Sequence, residues 1–265
     1  MKKWIFYGSA FLLFFIPAIL LIVKSFTPVW RWGEPFTFDW TLRGWETFLM
    51  DARIFDAMAI SLVIALVVTF LNLFTGIPAG KALSHSEFRG KSALEVLLVL
   101  PLFLPAMAAA VGLHITMIRL GLANNWLGVA IVHLVPTIPY TIKVMKSGYD
   151  RLNPDMLQQG KMLGAGGWHV FRTIELPMLM PSIRSAVFLT VTISMSQYVL
   201  TAIIGGGNVI TLPIIYYPFL QSVDDTVMAA FSVAFAILPV LAVLFVELVA
   251  TVLTGRFSIS KRGAL

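Results

Sequence analysis

The chain has little with which to do covalent chemistry: four histidines, thirteen carboxylates and no cysteine in 265 residues. Without cysteine there is no disulfide, no thiolate nucleophile and no cysteine-ligated metal. No H-E-x-x-H string supplies zinc ligands beside a base, and no Gly-x-Ser-Gly-like string supplies the serine of an intramembrane protease. Gly205-Gly206-Gly207-Asn208 could let a backbone approach a phosphate, but no strand precedes it and no Lys-Ser/Thr follows. No catalytic residue and no metal ligand is therefore expected. What remains is a set of polar residues inside apolar stretches: Asn72, His114, His133, Thr190, Thr192, Ser194, Ser196, Gln197 and Tyr198. Polar groups in hydrocarbon are costly, so they face a water-filled path or a neighbouring helix. Hydroxyls do the second chiefly. His114, His133, Ser194, Ser196, Gln197 and Tyr198 are the candidates for lining a substrate path.

The elements that carry these residues follow from composition. Hydrophobic side chains make up 58% of the chain and charged ones 12%, with a mean hydropathy of +0.89. A soluble domain carries about 25% charged residues, so the charge here could not cover a water-soluble globule. A disordered chain and a soluble nucleic-acid-binding domain are excluded with it. Crossing the hydrocarbon takes about 20 apolar residues, and six stretches qualify: roughly 4–23, 57–82, 94–118, 126–146, 183–204 and 226–253. The first lacks a small-x-small cleavage pattern and reads as a retained helix. The chain is thus expected to be a single all-α membrane domain over 1–265. Its spans would be kinked at Pro101, Pro105, Pro136, Pro139 and Pro239. After the glycines at 205–207 a partly apolar loop carries Pro213 and Pro218. Glu95 and Glu247 fall near span ends, which leaves no carboxylate for a proton relay.

Basic residues mark the cytoplasmic side of a membrane chain. With the amino terminus inside, that side holds Lys2, Lys3, Lys81, Arg89, Lys91, Lys143, Lys146, Arg151, Lys161, Arg172, Arg184, Arg256, Lys261 and Arg262. The outside holds only Lys24, Arg31, Arg43, Arg53 and Arg119. Both termini are therefore expected in the cytoplasm, and the net charge of +6 is a topology signal. The first outer loop also carries Trp30, Trp32, Trp40 and Trp45, residues typical of the membrane interface.

The longest inside segment, 147–182, is too long for a plain connection. Asn153-Pro154 with Asp155 opens a helix, with a cap, a proline in the first turn and an acid on the dipole. Gly164-Ala165-Gly166-Gly167 closes that helix, and a second short one is expected over 168–175, stopped by Leu176-Pro177.

This segment resembles the cytoplasmic motif of integral membrane subunits of binding-protein-dependent ABC importers. That motif reads E-A-A, three residues, G, nine residues, I, one residue, L-P. Here Gln158-Gln159-Gly160, Gly164, Ile174 and Leu176-Pro177 stand at those spacings, between the fourth and fifth of six expected helices. The departures are Gln158, uncharged where the family has an acid, and Gln159 and Gly160 where it has alanines. The resemblance implies a permease subunit whose coupling helix, carried by Gln158, Gln159, Gly160, Gly164, Ile174, Leu176 and Pro177, docks on a separate ATPase. It implies two ATP-binding cassette subunits holding ATP and Mg, a second permease chain and an extracytoplasmic solute-binding protein. It also implies a bacterial inner membrane location, and no cofactor bound by this chain. The non-acidic Gln158 favours a mixed pair of permeases. Gly205, Gly206, Gly207 and Asn208, followed by Thr211-Leu212-Pro213, resemble the outer loop of the polyamine, thiamine, ferric iron, sulfate and organophosphonate subgroup. That loop would meet the binding protein or close an outer gate. The rival reading is an ion-gradient-driven secondary transporter, which would need internal repeats and intramembrane ion-coupling groups; neither is found in the sequence.

Overall fold

The computed structural model describes residues 2–29, 39–220 and 224–254, and among them every regular element is helical. The elements are α1 (Lys2–Lys24), α2 (Arg43–Met50), α3 (Ala52–His85), α4 (Lys91–Val99), α5 (Ala106–Arg119), α6 (Trp126–Tyr149), α7 (Pro154–Met162), α8 (Gly167–Val170), α9 (Leu176–Met195), α10 (Tyr198–Gly205), α11 (Leu212–Leu220) and α12 (Asp225–Thr254). A 3₁₀ turn, Leu100–Phe103, follows α4, and a π turn, Phe171–Glu175, joins α8 to α9. Trp30, Arg31, Trp32, Arg256, Lys261 and Arg262 lie outside the described residues.

Among the described residues, four helices are long and apolar enough to cross a membrane: Ala52–His85, Trp126–Tyr149, Gly167–Met195 and Asp225–Phe245. The pair Lys91–Phe103 and Ala106–Arg119, bent by 102°, makes a fifth candidate when taken together. Phe11–Lys24, the described apolar part of α1, is a shorter helix.

The stretch expected as one helix over 94–118 is therefore broken. Pro101 and Pro105 have no N–H to donate, and a residue before proline avoids the α region. Leu104 accordingly takes an extended backbone, φ −76° and ψ 138°. The fifth stretch also differs from expectation. Leu176-Pro177 does not stop a helix; α9 starts there and runs to Met195. The π turn explains the tolerance. The Leu176 N–H reaches back five residues to the Phe171 carbonyl, which loosens the turn entering Pro177. Ser196-Gln197-Tyr198, expected in mid-helix, sits instead at a break where Gln197 leaves the helical region with φ −77° and ψ 88°. The loop expected around Pro213 and Pro218 is the helix α11, in which Pro213 falls in the first turn, where a missing N–H costs nothing. The segment expected as the first outer loop contains α2.

The chain divides into two compact units, Met1–Ile60 with Ile210–Leu238, and Ser61–Val209 with Pro239–Leu265. In the first, Phe48 meets Phe231 edge-on at 4.9 Å, and Phe219 stacks on Phe231 at 4.8 Å. Charge closes one end of this unit: Lys24 pairs with Asp225, Arg43 bonds Asp224 at 2.5 Å, and Thr226 donates to the Thr27 carbonyl. In the second, α6 packs along α9, while α10 lies against α5 and α6. α3 also approaches α6 closely. A Cβ on Gly76 would lie 2.6 Å from Thr141 Cγ2, and one on Gly80 would lie 2.7 Å from Met145 Cβ.

Candidate functional site

The segment that carries the motif is a helical hairpin. The Asn153 side chain accepts the Asp155 N–H at 2.9 Å, so α7 opens as its sequence requires. It closes at Gly164, whose φ of +82° is a conformation glycine reaches without strain. The Ala165 N–H bonds back to the Gly160 carbonyl at 3.1 Å, completing a glycine-terminated cap. Gly160 is buried, and a Cβ there would stand 3.1 Å from Ile174 Cδ1 and 3.4 Å from Val170 Cγ2. The third and seventeenth positions of the motif that Gln158 opens thus meet by packing: a small residue at 160 lets α7 lie on the chain at 174. Leu176 and Pro177 are half-buried in the first turn of α9.

The other face of the hairpin is left uncovered by the described residues. Gln158 and Gln159 are exposed, Leu163 is 89% exposed and Trp168 73%, and Met162 is exposed beside them. Two amides flanked by large apolar side chains make a surface that can hydrogen-bond and exclude water at once. The motif residues therefore sort into two groups. Gly160, Gly164, Ile174, Leu176 and Pro177 build the hairpin, and Gln158 and Gln159 are presented by it.

Behind the hairpin, Asp150 follows α6. The Ser84 hydroxyl, donating across 2.6 Å, holds its carboxyl below the usual carboxylate range; burial opposes this and Lys146, at 3.2 Å, adds to it.

The intramembrane candidates form a buried network in the second unit. His133, 2% exposed, has one ring nitrogen 3.0 Å from Ser194 Oγ and the other 3.0 Å from Thr201 Oγ1. Asn72 donates to Thr137 Oγ1 at 2.8 Å and approaches Thr190 Oγ1 at 3.4 Å, and Thr190 meets Thr141 at 3.1 Å. His133 and Ser194 are thus brought together, joined by Thr201, which the sequence reading did not single out. A hydroxyl one turn past the break at Ser196-Gln197 was its only signal. The arrangement ties α6 to α9 and α10 with both imidazole nitrogens engaged, which suits a helix contact better than an open path. Ser196 is exposed and its hydroxyl donates to the Ile193 carbonyl at 2.9 Å. Gln197 and Tyr198 are half-buried. His114 stands on α5 with a buried Nδ1 that finds no partner among the described residues.

The glycines at 205–207 make a tight turn after α10. Gly206 and Gly207 have φ of +53° and +81°, and the Asn208 N–H returns to the Gly205 carbonyl at 2.9 Å. The Asn124 side chain fills the space a Cβ on Gly206 would need, while the Asn124 N–H donates to the Ile204 carbonyl at 2.8 Å. Packing against the turn between α5 and α6 accounts for glycine at 206.

A family model described as binding-protein-dependent transport system inner membrane component matches residues 72–259. The molybdate/tungstate transport system permease protein WtpB of Thermococcus kodakarensis is 29% identical over 142 residues, covering 54% of this chain and 57% of that relative's length. The putative 2-aminoethylphosphonate transport system permease protein PhnV of Salmonella typhimurium and the spermidine/putrescine transport system permease protein PotC of Escherichia coli are each 25% identical over 240 residues, 89% of both chains. Among solved structures, a bacterial ABC transporter involved in alginate import matches with a TM-score of 0.66 at 16% identity, over 97% of this chain and 95% of that one. The methionine transporter MetNI in an inward-facing conformation matches with a TM-score of 0.56 at 18% identity, over 75% and 94%.

Proposed function

The chain belongs to the family of binding-protein-dependent transport system inner membrane components, and from that premise we propose that it forms half of the translocation pathway of an ATP-driven importer in a bacterial plasma membrane. The observation that carries the proposal is the hairpin: a helix pinned from beneath by Gly160 on Ile174, with Gln158, Gln159, Met162 and Leu163 turned outward. Such a surface fits a groove on an ATP-binding cassette subunit, which holds the ATP and Mg. Closure of the ATPase pair on nucleotide would push α7, and a packed hairpin passes that push on as a rigid-body step between two states. A second permease chain and a solute-binding protein complete the assembly; one structural neighbour was solved with its periplasmic protein bound to alginate pentasaccharide.

Six crossings with both termini in the cytoplasm complete the proposal, α1 and the bent α4–α5 pair joining the four long helices. The cargo is a small polar or charged solute of the polyamine, thiamine, iron or organophosphonate type, in keeping with relatives named for 2-aminoethylphosphonate and spermidine/putrescine. An ion-gradient-driven carrier is not favoured, since the family is one of importer permeases. Gly205, Gly206, Gly207 and Asn208 would face the binding protein.

Co-purification tests the reading. The wild-type chain should retain an ATPase subunit, and Gly160→Pro, which breaks α7 at its packed residue, should lose it at least tenfold, about 1.4 kcal/mol of binding. Gln158→Glu should retain it. A Gly160→Pro chain that still holds and drives the ATPase would overturn the docking role.

A further inference from the structure

The motif leaves one position open, between Ile174 and Leu176, and in this chain it is Glu175. Its carboxylate is 3% exposed, an unusual place for a charge in an apolar chain. Both oxygens are taken. Lys81 Nζ on α3 donates to Oε1 at 2.5 Å, and the hydroxyl of Tyr149, the last residue of α6, donates to Oε2 at 3.1 Å. The same ammonium lies 5.8 Å from the centre of the Tyr149 ring, and His85 meets that ring edge-on at 5.5 Å. Glu175 ends the π turn, the kind of backbone irregularity that often marks a functional site. Beside the pair opens a cleft of about 450 Å³ lined by Lys81, Tyr149, Trp168, Phe171 and Glu175.

We propose that Glu175 is a positioning residue for coupling, a clasp that fastens the α7–α8 hairpin to the ends of α3 and α6. The hairpin rests through Gly160 on Val170 and Ile174, in the first turns of the helix that runs on to Met195, where the π turn loosens the backbone. Apolar contacts at a loosened turn set no direction, so the hairpin could swivel under load. An ion pair and a hydrogen bond converging on one buried carboxylate give the same joint direction as well as strength, because removing either donor leaves a charge short of partners in a dry place. The inference rests on the importer reading for what the movement is for, and on this chain alone for the clasp.

The chain's lack of cysteine makes the test direct. Spin labels at Ser86→Cys, past α3, and His169→Cys, on α8, both exposed, report the distance between hairpin and bundle. In the wild-type background the distribution should be narrow in nanodiscs and should stay so when the complex is trapped with ATP and vanadate. Glu175→Gln and Lys81→Gln should each broaden it by about 5 Å, one helical turn. They should also lower nucleotide-driven ATPase stimulation at least fivefold at unchanged subunit stoichiometry. The exchanged pair Lys81→Glu with Glu175→Lys should restore both. A distribution that stays narrow in Glu175→Gln, or that shifts in the wild type on trapping, overturns the clasp. Absence of any ATPase from the wild-type preparation would instead sink the importer reading, and the nucleotide-free distances would still decide the clasp.

Discussion

Glycines 76 and 80, four apart on α3, are positions where single atoms matter. They bring the backbone of α3 against α6 so closely that a methyl on Gly80 would press on Met145 Cβ at 2.7 Å and on the Lys146 nitrogen at 2.8 Å. Small residues at such spacing let membrane helices approach, and dispersion then holds them. Gly80→Ala should destabilise the protein by about 1–3 kcal/mol, the usual range for an overpacked contact. Gly112→Ala, on α5 with nothing within 4 Å of the added carbon, should be neutral or slightly stabilising. Melting of both variants in detergent checks the pair; equal melting temperatures would refute the contact. Gly76 and Gly80 stand four apart in the sequence, but nothing there singles them out as a contact. Their partners on α6 are not legible either, because periodicity within one helix says nothing about which neighbour it meets. The same holds for His133: burial in a span was legible, but Ser194 and Thr201 as partners required the crossing of three helices.

The elements show where local rules were sufficient and where tertiary structure overrode them. Asn153, Asp155 and Gly164 specify the start and end of α7 by side-chain and backbone chemistry alone, and the structure places both ends as those residues require. Leu176-Pro177 obeys the same local rule, yet the helix continues, because a π turn frees the space the proline ring needs. Pro101 and Pro105 were read as kinks and make a full break. Two prolines four apart remove both donors from one turn, so no intact turn is left to bridge the bend. The hairpin gives the prediction at this scale. Gly164→Ala should cost about 1–2 kcal/mol, the penalty for a Cβ in the left-handed region, and should loosen the α7–α8 turn to protease. Gly166→Ala, in ordinary extended backbone with open space around it, should do neither. If the two variants resist proteolysis equally, the turn is not fixed by the geometry at Gly164.

At the scale of the whole molecule the open matter is parity, and one element decides it. If the pair Lys91–Phe103 and Ala106–Arg119 crosses the bilayer, then α1, α3, the pair, α6, α9 and α12 make an even number of crossings and the termini share a side. If the pair turns back at its 102° bend, the number is odd. Charge favours the crossing pair by a narrow margin. A returning pair would put Ser86 and Leu120 on one side and would send Lys143, Lys146, Arg151 and Arg172 to the side opposite Lys81, Arg89 and Lys91, dividing the 19 basic residues 13 to 6. A crossing pair gathers all of these together and divides the 19 as 14 to 5, the larger cytoplasmic excess. Single cysteines at Leu42, Ser86, Leu120 and Arg151, all exposed in an otherwise cysteine-free chain, test this with an impermeant maleimide on intact cells. Leu42→Cys and Leu120→Cys should label at once, and Ser86→Cys and Arg151→Cys only after permeabilisation. Labelling of Arg151→Cys from outside, with Leu120→Cys protected, would make the bend a re-entrant loop. It would also put the hairpin, Gln158 and Gln159 included, on the wrong side of the membrane for an ATPase to reach.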